Sequence, residues 1–135
     1  MLSSSDALER RCLQIAVALA ACVPVFAGGY GMWKGTGFLG LAADVSADSH
    51  IRYLSGLLFG IGFAFWAAIP DIEKRGARFS LLTAIVFIGG LARLYSLMID
   101  GAPDWGMRFG LLMELVVTPA IWAWQQRVAK RCSTS

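Results

Sequence analysis

Histidine and cysteine are close to absent from this chain: one histidine, His50, and three cysteines stand in 135 residues. A haem held by two histidines of one chain is therefore excluded. Cys12, Cys22 and Cys132 form no Cys-x-x-Cys pair, which removes the usual zinc and iron–sulfur spacings. Buried thiols acting as small apolar groups are the expectation, with no disulfide, no metal and no cofactor. Phosphate-cradling glycine loops and a Ser–His–Asp set are missing as well. Charge is scarce: Asp, Glu, Lys and Arg make up 16% of the chain, with a net charge of +3. The basic residues stand at the ends of apolar runs rather than along one stripe, so no nucleic-acid partner is expected.

Apolar residues are what the chain has in excess, at 57% and a mean hydropathy of +0.62. A soluble domain this small could not hide so much apolar surface from water. Four runs are long enough to cross a bilayer: residues 12–33, 51–69, 79–99 and 109–126. About 20 residues of helix cover the ~30 Å hydrocarbon core. Lipid offers no partner to an unpaired backbone group, so these runs should be helices. A barrel is excluded because no segment alternates with a period of two. The expected fold is all-α, an integral membrane antiparallel four-helix bundle. Residues 1–11 form a cytoplasmic segment, 12–128 the transmembrane domain and 129–135 a cytoplasmic tail.

The basic residues orient it. Arg10, Arg11, Lys74, Arg75, Arg78, Arg127, Lys130 and Arg131 fall on one side; Lys34, Arg52 and Arg108 fall on the other. Both termini are thus expected in the cytoplasm of a bacterial cell, with the chain multi-pass in the inner membrane. A competing reading treats the first run as a signal peptide cut after Ala27; the run continues to Trp33, which favours a retained span. The short loops "PDIEKRGAR" and "DGAPDWGM" make helices two and three, and three and four, antiparallel neighbours. Gly101 is expected as a left-handed cap of helix three. The connection 34–50 is longer, a tether or a lid, within which "FLGLAADV" has the makings of a short helix, and Asp48 or Ser49 should cap helix two. Gly56, Gly60, Gly89 and Gly90 are expected to let helices pack closely, within the chain or against another copy.

One arginine breaks the pattern. Arg93 stands in "GGLARLYSLMIDG", about 9 Å inside the outer end of helix three, and Glu114 stands about 7–8 Å inside helix four. A charge at that depth costs on the order of a few kcal/mol, so the two are expected to pair. Arg52 and Asp100 each oppose their own helix dipole at the outer rim, which suggests a second pair. With Ser55 and Ser96 these residues make one candidate polar pocket, flanked by His50, Tyr53, Tyr95 and Thr118.

The stretches "RYLSGLLFGIG" (52–62), "GGLARLYSLMIDGAP" (89–103) and "ELVVTPAIWAW" (114–124) resemble the bacterial four-helix membrane family catalogued as domain of unknown function 4345. The similarity covers roughly residues 12–128 and implies four membrane helices without implying an activity. Three functions stay open. The leading one is binding of a small anionic molecule or lipid headgroup at Arg52, Arg93, Asp100 and Glu114. The second is a structural or accessory subunit whose charges hold its own helices while its glycines meet a partner membrane protein or a second copy. The third is a membrane enzyme with Glu114 as acid or base.

Overall fold

The computed structural model describes residues 4–42 and 44–134. These residues are helical, with no strand among them. Helix α1 spans Ser4–Lys34, a 3-10 turn spans Gly35–Leu39, and α2 spans Val45–Ala67. A second 3-10 turn, Ile72–Lys74, leads to α3, Gly76–Asp100. Then α4 (Trp105–Leu112), a π turn (Met113–Val117) and α5 (Thr118–Thr134) run on as one helical rod. Three stretches are long and apolar enough to cross a membrane, Ser4–Leu39, Gly76–Asp100 and Trp105–Ser133, which marks this as a membrane protein. Helix α2 is not among them; its first half carries Asp48, His50 and Arg52.

The helices are longer than the apolar runs, and their caps say why. Asp44, not Asp48 or Ser49, caps α2: its carboxylate accepts from Ala47 N–H at 2.8 Å, so the helix starts six residues before the apolar run. Asp104 does the same for α4 through Met107 N–H. Side-chain acceptors of this kind answer the orphan donors of a first turn. The stretch "FLGLAADV" yields only the end of a 3-10 turn, and Ala43 within it lies outside the described residues. Gly101 has φ +94° and ψ 179°, an extended mirror conformation rather than the left-handed cap expected; only glycine adopts it without strain.

The chain forms two compact units, one of Met1–Gln14 with Pro70–Ser135, the other of Ile15–Ile69. In the second unit α1 and α2 make an antiparallel hairpin. Its contacts run in opposite order along the two helices: Arg52 with Met32 and Trp33, then Gly62 beside Val25, then Trp66 donating to the Ala18 carbonyl. A Cβ on Gly28 would stand 2.7 Å from the Ser55 carbonyl oxygen, and one on Gly62 would stand 2.6 Å from Val25. Small residues at such crossings let membrane helices pack by van der Waals contact alone.

In the first unit α3 and the α4–α5 rod form a second antiparallel hairpin. Arg93 meets Glu114 toward the 101–104 turn, Ser80 accepts from Trp122 further along, and Gln125 reaches the Ile72 carbonyl at the far end. Gln125 and Phe79 are buried there. The charged ends of the helices remain helical because ion pairs hold them. Glu9 takes Arg127 at 3.2 Å and Arg131 at 2.7 Å, and Arg10 takes Glu73 at 2.7 Å. Residues 4–11 and 129–134 are thus helix beyond the ends of the apolar runs.

Candidate functional site

The site in the first unit is built on a defect in the fourth rod. Pro119 has no N–H, so the carbonyl four residues before it loses its helical donor. The backbone answers by widening: Thr118 N–H reaches back to Met113 O, and the Thr118 hydroxyl donates to the same carbonyl at 2.8 Å. The resulting π turn carries Glu114. Single π turns of this kind are frequent at functional sites.

Helix α3 meets this turn at Gly90. A Cβ there would come within 2.9 Å of Glu114 Cβ and 2.8 Å of Leu115, so a larger residue would push the two elements apart. One turn further on, Arg93 lays its fork on the carboxylate. Nε donates to Oε2 at 3.0 Å and Nη2 to Oε1 at 3.2 Å, the two-point geometry that makes arginine–carboxylate pairs strong. The Glu114 side chain is only 15% exposed and that of Arg93 33%. Nη1 donates to the thioether of Met107, a weak acceptor. Three of the five guanidinium donors are therefore engaged, one of them poorly.

Beside Arg93 lies an open cleft of about 480 Å³, lined by Arg93, Ser96, Leu97, Asp100, the 101–103 turn and Met107. Ser96 Oγ donates to Asp100 at 3.1 Å. Tyr95, Met98, Ile99 and Trp105 on the same end of the hairpin are exposed. The structure thus brings Arg93, Ser96, Asp100 and Glu114 into one neighbourhood.

Arg52 and Ser55 belong to the other unit and to a different arrangement. The partner of Arg52 is Asp48, one turn back on α2, in place of the Asp100 that the sequence suggested. Arg52 Nε donates to Asp48 Oδ2 at 2.7 Å, and its Nη1 donates to the carbonyls of Met32 and Trp33. Those carbonyls are orphans at the C-terminus of α1, where a cation is favourable. Asp48 Oδ1 in turn accepts from Thr36 N–H at 2.8 Å. The bonds from Arg52, then from Thr36, hold the Asp48 carboxyl below its usual range, against the opposing effect of burial. Gly35, at φ +57°, sits so close to Asp48 Oδ1 that any Cβ would overlap it. This lock ties the end of α1 and the 3-10 turn that follows it to the start of α2. Ser55 packs against Gly31 in the same hairpin, while His50 and Tyr53 are exposed.

Among the glycines expected to pack, Gly90 makes the tight approach described above. A Cβ on Gly56 would make only ordinary contact with Met32, at 3.8 Å, and one on Gly60 or Gly89 would meet nothing within 4 Å among the described residues. No group of histidine, cysteine and acidic residues among the described residues could hold a metal. Sequence reasoning missed Asp48, Thr36 and Met107. The four-residue spacing of Asp48 and Arg52 was the available signal for the first; nothing in the sequence marks Met107.

The family model described as Domain of unknown function (DUF4345) matches residues 12–125. No curated protein and no solved structure matches the chain.

Proposed function

The chain belongs to the DUF4345 family, and on that premise we propose that it is a four-helix antiparallel membrane bundle that binds an anionic group in the cleft beside Arg93. Both termini face the cytoplasm of a bacterial inner membrane, as the basic residues favour, and α2 completes the fourth crossing through its apolar part from Leu54 onward. The observation that carries the binding reading is the state of Arg93. Glu114 occupies one edge of its guanidinium, while the Nη1 side has only a thioether and lines an open cleft. A planar cation with donors left over suits a phosphate or carboxylate. Its place near the end of a membrane hairpin, among exposed Tyr95, Met98, Ile99 and Trp105, suits a lipid headgroup whose chains lie along the helix. Arg52 belongs to the other unit, where its Nε and Nη1 serve Asp48 and the end of α1.

The test is native mass spectrometry of the purified chain with its co-purifying lipids. The double variant Arg93→Met with Glu114→Met removes both charges together and so avoids stranding one of them. It should lose bound phospholipid by about tenfold, the scale of one charge-assisted hydrogen bond. Equal retention in wild type and variant would reject the reading.

A second reading has its own support: Arg52 and Arg93 each have a carboxylate partner, as expected if the charges only fix helix register. In that case the chain is a structural or accessory subunit of a membrane complex. The same spectra would then show a ligand-free chain carrying a second polypeptide or a second copy. Acid–base work by Glu114 has no comparable support, since Arg93 holds both its oxygens.

A further inference from the structure

We propose that the cleft beside Arg93 takes a group bearing an ammonium as well as a phosphate, an aminoalkyl phosphate of the ethanolamine type. This deepens the anion-binding reading above and rests on it. Arg93 and Glu114 cancel within their own pair. What remains in the lining is Asp100, exposed at the end of α3, with one hydrogen bond from Ser96 to Oδ2 and no ion pair among the described residues. Asp104 and Arg108 are close in sequence, but neither lines the cleft, and Asp104 caps α4. The cleft therefore offers donors at one end, on Arg93, and a net negative charge at the other.

A simple anion would bring a second negative charge toward Asp100, and like charges at short range repel. A phosphate with an ammonium on a short tether resolves both ends at once. The phosphate oxygens take the unanswered guanidinium donors, and the ammonium takes the free Asp100 oxygen, with three donors for it and for Ser96. The Arg93 side chain leans the right way for this. Its Nη1 donates to Met107, which lines the cleft together with Ser96 and Asp100. The same chemistry is carried by phosphatidylethanolamine and by free phosphoethanolamine.

The experiment uses the full chain in nanodiscs of phosphatidylethanolamine and phosphatidylglycerol with identical acyl chains, mixed in equal amounts. Lipids retained on the protein are counted by native mass spectrometry after release. Wild type should retain the ethanolamine lipid over the glycerol lipid by about fivefold, the upper range for an exposed ion pair. Asp100→Asn, an exposed change that leaves the Arg93–Glu114 pair alone, should bring the ratio to about one. A ratio near one in wild type, with both lipids lost in Arg93→Met/Glu114→Met, would overturn this inference and leave anion binding standing. A preference that survives Asp100→Asn would also overturn it. Retention untouched by the double variant would remove both readings. Excess free phosphoethanolamine separates the sources. If it displaces the retained lipid, the headgroup chemistry suffices and a soluble ligand fits; if it does not while the preference holds, the ligand is the lipid.

Discussion

A guanidinium set one or two turns inside an apolar helix is stable only where its charge and its donors are answered. Glu114 does most of this for Arg93, and each residue is the reason the other is tolerated. Single changes Arg93→Met or Glu114→Met each leave a charge without its partner, and both should lower Tm in detergent. The double change should recover part of the loss, with a coupling of about 1 kcal/mol or more in a thermodynamic cycle; strict additivity would mean that the pair does not interact. A different polar group has been left unanswered. Thr83 Oγ1 is buried with no hydrogen-bond partner among the described residues. Thr83→Val keeps the shape and removes that hydroxyl, so it should raise Tm, or at worst leave it unchanged. A loss of about 1 kcal/mol in denaturant titration would show that the hydroxyl has a partner. The sequence made the Arg93–Glu114 pairing readable because depth along two adjacent apolar runs can be counted. It did not make Arg52–Asp48 readable, because a helix start placed at 51 instead of 45 puts Asp48 in a loop and hides the four-residue spacing.

At the level of elements, two kinds of glycine separate. Gly62 and Gly90 stand where a Cβ would meet Val25 at 2.6 Å and Leu115 at 2.8 Å, whereas at Gly60 and Gly89 it would meet nothing within 4 Å among the described residues. Gly62→Ala and Gly90→Ala should therefore destabilise by about 1–3 kcal/mol through overpacking. Gly60→Ala and Gly89→Ala should be neutral or stabilising by up to about 1 kcal/mol, since alanine is the better helix former. Melting curves of the four variants check this, and a cost at Gly60 as large as at Gly62 would show that another helix covers it. Apolar runs alone do not distinguish these glycines, because all four lie within apolar helix and only the crossing points tell them apart. Helix ends were legible only to the edge of the apolar runs. Beyond it, Asp44 and Asp104 as caps, and Glu9 with Arg127 and Arg131 as ties, extend the helices into charged sequence. Pro119 removes one backbone donor from the fourth helix, but nothing in the sequence says that the backbone widens into a π turn that carries Glu114.

For the whole molecule, composition was sufficient for the membrane class, because no amount of folding hides this much apolar surface in so short a chain. It overstated the uniformity of the spans: α2 is apolar only over its second half. Acid stability is also a property of the whole chain. Burial pushes the Glu73 carboxyl up, but the bond and charge of Arg10 outweigh it, and the group titrates below its ordinary 4.5. Asp48 is lowered from 3.8 by Arg52 and Thr36. A carboxyl depressed by folding contributes stability above its unfolded pKa and loses it as pH falls through the folded value. Tm should thus be insensitive to these groups above about pH 5 and fall below about pH 4.5, with a shallower fall in Glu73→Gln; a variant curve parallel to wild type would remove Glu73 from the account. The central claim is that Arg93, and not Arg52, holds an anionic group, and ligand-induced stabilisation tests it most directly. Tm of the detergent-solubilised chain is followed as short-chain phosphatidylethanolamine and phosphatidylglycerol are added together in equal amounts. A ligand at about 100 times its Kd stabilises the folded state by about 2.7 kcal/mol. Wild type and Arg52→Lys should rise with added lipid, while Arg93→Met/Glu114→Met stays flat. An equal rise in all three would contradict the claim.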